Sequence, residues 1–258
     1  MAEKTSYAPG EPCWVELASP DVEAAEVFYG GLFGWDCASP GPQYGGYTTF
    51  TLGGTPGTEV AGLLKAADPA QPSDWICYFS VADADATAEL VRAAGGRVRV
   101  PPMDVMDLGR MAVFTDALGA GFGVWEPAAF AGARRVDEPG TLLWTELACR
   151  DVETARTFYR TVFGWEFTEE QEGGFSYTEW LLEGRSVAGM VRMDHRWPDD
   201  ATPYWIPYFA VDNCDATADK GRALGGSVRV PPTDIPPGRF ALMADPCGAH
   251  FMVFTPKD

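Results

Sequence analysis

Trp14, Glu16 and Ala18 alternate with Val15 and Leu17, a period-two pattern that predicts a short strand. Ser19-Pro20-Asp21 then predicts a helix start, with Asp or Ser as cap and Pro in the first turn. Ala25, Phe28, Tyr29 and Leu32 fall on one face at helical spacing, so the helix runs to about Leu32, and Gly34 in Phe33-Gly34-Trp35 closes it. Tyr47–Leu52 and Val60–Leu64 read as strands between Gly-rich turns, and Asp74–Val81 as a longer strand. Asp85 to Ala94 reads as a second helix, ended by Gly95-Gly96. A strand at Val98–Val100, a Pro-rich loop, a strand at Arg110–Phe114, a turn at Asp116–Gly119 and a strand at Gly121–Trp125 follow.

The whole pattern then recurs. Trp14-Val15-Glu16-Leu17-Ala18 returns as Trp144-Thr145-Glu146-Leu147-Ala148, and Phe33-Gly34-Trp35 as Phe163-Gly164-Trp165. Between positions 14 and 35, 13 of 22 residues are identical to their partners 130 positions later. Trp75/Trp205 and the Val98-Arg99-Val100-Pro101-Pro102 run keep that offset, which drops to 129 at Gly109-Arg110/Gly238-Arg239 and Asp116/Asp245. Such a period marks a tandem duplication. The expected division is a first module over 1–126, a linker over 127–140 and a second module over 141–258. The fold class is α+β, built from tandem βαβββ modules.

Charge narrows the partners. Lys+Arg total 19 against 37 for Asp+Glu, a formal charge of −18, and no basic cluster exceeds Arg134-Arg135. Nucleic acid and anionic membrane surfaces, which need a basic footprint, are not expected partners. No apolar run has the length of a membrane helix, and no secretory leader is visible at the start. Six cysteines form no C-x-x-C pair, which points to a reduced, cytoplasmic setting; Cys13 and Cys77 fall in strand-like runs, as small buried hydrophobes do.

The element order, with F-Y…F-G-W after the first helix, V-x-D before the second and G-R-x-x-x-x-x-D-x-x-G before the last strand, resembles the vicinal oxygen chelate superfamily. That superfamily includes glyoxalase I, bleomycin-resistance proteins and extradiol dioxygenases. The likeness covers both modules and looks closest to two-module actinobacterial members labelled hydroxylase or glyoxalase-like. It implies curled mixed sheets around a cavity. In metal-holding members it also implies ligands at positions that here carry Trp14 and Trp144, Gly123 and Met252, and Ile76 and Ile206. None of these offers the imidazole or carboxylate that such an ion needs, and the chain has only two histidines, His195 and His250. The expectation is therefore a lost metal site and no cofactor.

Strand parity maps the inward face onto those same positions. It places Trp14, Glu16, Ala18, Ile76, Tyr78, Ser80, Gly121, Gly123 and Trp125 inside the first module, and Trp144, Glu146, Ala148, Ile206, Tyr208, Ala210, His250, Met252 and Phe254 inside the second. The substrate-binding candidates are Trp14, Tyr78, Gly123, Trp125, Trp144, Tyr208, Met252 and Phe254. Catalytic candidates are His250, Glu16 and Glu146. Glu16 and Glu146 read either as acids or bases in an apolar surround or as interface residues bonded to backbone or Arg. His250 stands opposite Gly121 in the repeat, so duplication does not account for it; it is a general base or a rim residue facing water. His195 reads as a surface residue. Arg110 and Arg239 read as halves of buried ion pairs or as substrate anchors. The Gly121/Gly123 side is expected to leave room and the His250/Met252/Phe254 side to fill it, with one cavity in use.

The expected ligand is a flat, hydrophobic aromatic small molecule. The expected role is a metal-independent tailoring enzyme of polyketide-type metabolism, hydroxylase-like by resemblance, acting as a monomer or homodimer. A non-catalytic drug-binding protein of the bleomycin-resistance kind and a glyoxalase-like lyase or isomerase are the alternatives.

Overall fold

The structure, a computed structural model, describes residues 3–39, 41, 45–172 and 175–257, without the side chains of 171, 172 and 175. The outermost residues of the expected modules, 1–2 and 258, lie outside the described residues. The first module runs β1 (Pro12–Ser19), α1 (Val22–Phe33), β2 (Trp35–Ala38), β3 (Thr48–Leu52), β4 (Glu59–Lys65), β5 (Asp74–Ser80), α2 (Ala84–Ala93), β6 (Arg97–Val105), β7 (Gly109–Thr115) and β8 (Gly121–Pro127). The second repeats it as β9 (Leu142–Cys149), α3 (Val152–Phe163), β10 (Glu166–Glu172), β11 (Phe175–Leu182), β12 (Arg185–Arg192), β13 (Tyr204–Ala210), α4 (Cys214–Ala223), β14 (Ser227–Ile235), β15 (Gly238–Ala244) and β16 (His250–Pro256).

Each module is itself a pair of βαβββ units, since β1-α1-β2-β3-β4 is followed by β5-α2-β6-β7-β8. Two differences from the sequence reading explain why the pairing is not visible there. The four-residue strand β2 starts at Trp35, directly after the Gly34 cap, and carries only one buried side chain. The Pro-rich stretch after Val100 is strand, not loop: β6 continues through Pro101-Pro102 to Val105 with register shifts against β7. β6 lies at the sheet edge, where proline costs no ladder bond. Pro20 precedes the α1 cap rather than entering the first turn; Asp21 is the N-cap and accepts from the Ala24 N–H.

The modules form two eight-stranded mixed sheets, in the orders β2-β3-β4-β1-β5-β8-β7-β6 and β10-β11-β12-β9-β13-β16-β15-β14. Both are open, with free edges rather than barrel closure. In each, the two units meet along one antiparallel pair, β1 with β5 and β9 with β13.

Alternation along these strands sends one face of each sheet into a core shared by both modules. Val15, Leu17, Cys77, Phe79 and Phe122 of the first sheet join Leu147, Phe209 and Phe251 of the second in one cluster with all four helices. α1 and α3 reach across to the other module's sheet to build it. Phe28 of α1 packs on Phe251 (6.1 Å between ring centroids), and Phe163 of α3 packs on Phe79 (5.2 Å). Polar ties follow the same crossing. The Tyr29 hydroxyl bonds Asp245 at 3.3 Å and the Tyr159 hydroxyl bonds Asp116 at 2.9 Å. The Trp35 and Trp165 indole N–H groups donate to the Gly140 and Gly10 carbonyls at 2.7 and 3.0 Å. The opposite face of each sheet carries its own smaller cluster, one around Trp14, Tyr78 and Trp125, the other around Ile206, Tyr208, Met252 and Phe254. Among the described residues, no helix is long and apolar enough to cross a membrane.

Candidate functional site

The face turned away from the helices holds the inward set that strand alternation names. On β1 the step of two residues puts Trp14 and Glu16 on this face, and antiparallel register sets Trp14 opposite Tyr78 and Glu16 opposite Ile76. Parallel pairing then sets Tyr78 beside Gly123. The second sheet repeats it, with Trp144 opposite Tyr208, Glu146 opposite Ile206, and Tyr208 beside Met252.

At the centre of each face is one chain of side-chain bonds. The Trp14 indole N–H donates to the Tyr47 hydroxyl at 3.1 Å; Tyr47 bonds the Glu16 carboxylate, and the Tyr78 hydroxyl donates to Glu16 Oε1 at 3.0 Å. In the second module Trp144 donates to Tyr177 at 3.1 Å, Tyr177 bonds Glu146, and Tyr208 donates to Glu146 Oε1 at 2.9 Å. The partners of both carboxylates are thus phenols, not the backbone or arginine partners that the interface reading of the sequence supposes. Tyr47 and Tyr177 are missing from the sequence-derived set, although they too stand 130 positions apart. Two glycines make room for them: a Cβ at Gly62 would fall inside the Tyr47 hydroxyl, and one at Gly189 inside the Tyr177 hydroxyl.

Desolvation pushes the Glu16 carboxyl above its usual range, against the bonds from Tyr47 and Tyr78. Glu146 is 7% exposed, and burial lifts its pKa to about 7, again opposed by Tyr208 and Tyr177. That value places it between acid and base near neutrality. The phenols are pushed well above 10 by burial and by the neighbouring carboxylate, so they remain donors.

Other candidates fall elsewhere. His250 is the first residue of β16 and is exposed at the rim of the second face. Partial desolvation and then the charge of Arg229 push its pKa down, which favours neutral imidazole. His195 is exposed in the turn after β12. Arg110 bonds Asp85 and Asp104 at 2.6 Å, and Arg239 bonds Asp215 at 2.7 Å. The Asp85 and Asp215 pairs tie a helix N-terminus to the edge hairpin, the Asp104 pair lies within that hairpin, and with Arg110 and Arg239 about one-third exposed they are surface clamps rather than buried pairs. Gly123 does not leave room: the Tyr78 ring lies over it, where a Cβ would clash.

The positions at which resemblance implies metal ligands lie together on this face but hold indole, alkyl, a thioether at Met252, or no side chain. Among the described residues, no group of three or more His, Cys, Asp or Glu could hold an ion. The donor set does not fit a divalent metal. What the site offers instead is an aromatic and alkyl surface with one carboxyl flanked by phenols.

Comparison with known proteins agrees with this architecture. The family profile described as the Glyoxalase/Bleomycin resistance protein/Dioxygenase superfamily matches residues 13–124 and again 141–253. The chain is 39% identical over 269 residues to the anthracycline biosynthesis protein DauV of Streptomyces sp. (strain C5), covering 96% of this chain and 94% of that one. It is 39% identical over 261 residues to CFP32 of Mycobacterium tuberculosis (strain CDC 1551 / Oshkosh), provisionally named a glyoxylase, covering 99% and 98%. Among solved structures, the Mn(II)-bound glyoxalase of Novosphingobium aromaticivorans superposes with a TM-score of 0.64 at 18% identity, covering 96% of this chain and 82% of that one. At that identity the likeness is one of fold.

Proposed function

The chain belongs to the Glyoxalase/Bleomycin resistance protein/Dioxygenase superfamily, and from that premise we propose that it binds a flat, hydroxylated aromatic molecule of the polyketide type and tailors it by proton transfer through Glu146. The observation that carries the reading is the Glu146 carboxyl, buried in an aromatic surround with a pKa of about 7 and bonded by two phenols. A relative that works in anthracycline biosynthesis and matches 96% of this chain supports the substrate class. The residues at the family's ligand positions support chemistry without a resident metal.

The chain's own groups offer acid–base work. Ionised Glu146 takes a proton from an enolic hydroxyl, and the protonated form returns it at the conjugated carbon, so the net change is an enol-to-keto isomerisation that needs no oxidant. Tyr177 and Tyr208 steady the charge while it exists. His250, neutral at the rim, serves as a hydrogen-bonding partner for a substituent that reaches solvent. Glu16 is the matching group of the first face.

A second reading has its own support. The same Trp–Tyr–Glu–Tyr chain stands in both modules, as architecture would, and a protein that only sequesters the ligand needs no more than the aromatic surface. Turnover separates the two. Purified protein is assayed against a panel of hydroxylated aromatic polyketides by chromatography that separates isomers, with deuterium uptake from heavy water read by mass spectrometry. The enzyme reading expects conversion that Glu146→Gln abolishes while affinity stays within about threefold. Binding without conversion by the wild-type protein supports sequestration.

A further inference from the structure

The two faces carry one bonding chain but differ in what lies over it. After β8 the joining segment folds back across the first face. The Ala128 and Phe130 N–H groups donate to the Leu108 carbonyl at 2.9 and 3.0 Å, and the Trp125 indole donates to the Phe130 carbonyl at 2.8 Å. Farther on, the Ala133 N–H donates to the Cys13 carbonyl at 2.8 Å, and the Tyr7 hydroxyl to the Ala133 carbonyl at 2.6 Å. Gly132 permits the approach: its φ is +133°, and a Cβ there would strike the Cys13 carbonyl. This anchoring delivers the Phe130 ring edge-on to Trp14, with centroids 5.2 Å apart at 90°, and to Trp125 at 6.1 Å and 74°. Trp14 is left 6% exposed.

On the second face the equivalents of Trp14 and Trp125 are Trp144 and Phe254. Trp144 is half-buried. The partly buried apolar residues packed around that cluster, Leu143, Tyr204, Ile235, Phe240 and Leu242, all belong to the second sheet itself. Trp197, in the loop after β12, bonds Tyr204 and packs beside Tyr177 and Ala148, at the other end of this face; among the described residues, no segment from outside the sheet packs a ring on the cluster around Trp144 as Phe130 does on the first face. Phe254 stands where the first face has an indole, and Met252 where it has Gly123, so the two seats differ in shape. On the first side the room expected at Gly121 is open while Gly123 lies under the Tyr78 ring, and the seat over Trp14 is taken by Phe130.

We propose that Phe130 is a built-in stand-in for ligand: on the first face it takes the seat that an aromatic ring of the bound molecule takes on the second. Each chain then binds one ligand, edge-on to Trp144 and bounded by Met252 and Phe254. This rests on the reading that the protein binds a flat aromatic molecule. The Phe130–Trp14 geometry describes the contact to expect, because a ring quadrupole favours an edge against a face.

The test is the stoichiometry of 1,4-dihydroxyanthraquinone on the full-length chain, read by equilibrium dialysis and visible absorbance. The wild-type protein takes up one equivalent, and Trp144→Ala weakens it about tenfold or more. Phe130→Ala, which keeps the carbonyl that Trp125 uses, opens the first seat and takes up two. Two equivalents on the wild type, or one equivalent indifferent to Trp144→Ala, overturns the proposal. So does a folded Phe130→Ala that still binds one. If that variant fails to fold, Trp144→Ala alone decides. No uptake by the wild-type chain overturns the underlying reading as well, and so is distinguishable from the other failures.

Discussion

Glu146 shows how a single group reports on its surroundings. Folding raises its pKa from 4.5 to about 7. In that window the folded chain holds a proton that the unfolded chain has released, so this carboxyl makes stability fall as pH rises from about 4.5 through about 7 and adds no further change above it. Glu146→Gln removes the titration. The variant is expected to gain on the wild type across that window, reaching about 3 kcal/mol on the alkaline side, as measured by urea unfolding at a series of pH values. Tyr208→Phe takes away a donor to the carboxylate and is expected to raise the Glu146 pKa by a further unit or so. Much of this constellation is legible in the sequence: two-residue alternation picks out Trp14, Glu16, Tyr78 and their repeats. Tyr47 and Tyr177 escape because they come from a different strand, and strand periodicity carries no information about which neighbour leans across. The glycines that admit them, Gly62 and Gly189, look like ordinary strand interruptions until the hydroxyls are in place.

At the scale of elements, helices and their caps are the readable part, and sheet edges are not. Gly34 ends α1 in the left-handed region at φ 75°, as a glycine after the last helical turn should. β2 and β6 are edge strands, and neither proline content nor a single buried side chain distinguishes them from loops in sequence. The joining segment is equally opaque: Phe130 reads as one apolar residue in a linker, and only the bonds to Leu108 and Cys13 show that it returns to the sheet. Gly132→Ala tests that docking. Its added methyl meets the Cys13 carbonyl at a backbone angle that L-residues avoid, so a loss of about 1–3 kcal/mol in thermal or urea unfolding is expected. Asp21→Ala, which deletes the α1 cap, is expected to cost about 1 kcal/mol by the same measurement.

Across the whole molecule, duplication suggests two independent halves, and the core contradicts that independence. Phe28, Tyr29 and Phe33 reach Phe251 or Phe209 of the other sheet, and Phe79 touches Trp205 with centroids 4.9 Å apart. Residues 141–258 expressed alone would expose those rings. They are expected to lack the near-ultraviolet circular dichroism of the full chain, which itself should unfold in one cooperative transition. Residue repetition could not reveal this, because a repeat states what each half contains and not which half its helices pack against. With a net charge of −18, the assembled molecule repels anionic ligands at long range, so an uncharged hydroxyaromatic is the fitting probe of its inner surface. The central claim concerns that surface, and the carboxyl at its floor can be watched directly. The infrared carbonyl stretch of protonated Glu146, identified as wild type minus Glu146→Gln, is followed from about pH 5 to about pH 9 with and without 1,4-dihydroxyanthraquinone. A band that titrates near 7 and shifts when the quinone binds is the predicted result; one that is lost near the ordinary carboxylate range, or is indifferent to the quinone, contradicts the account.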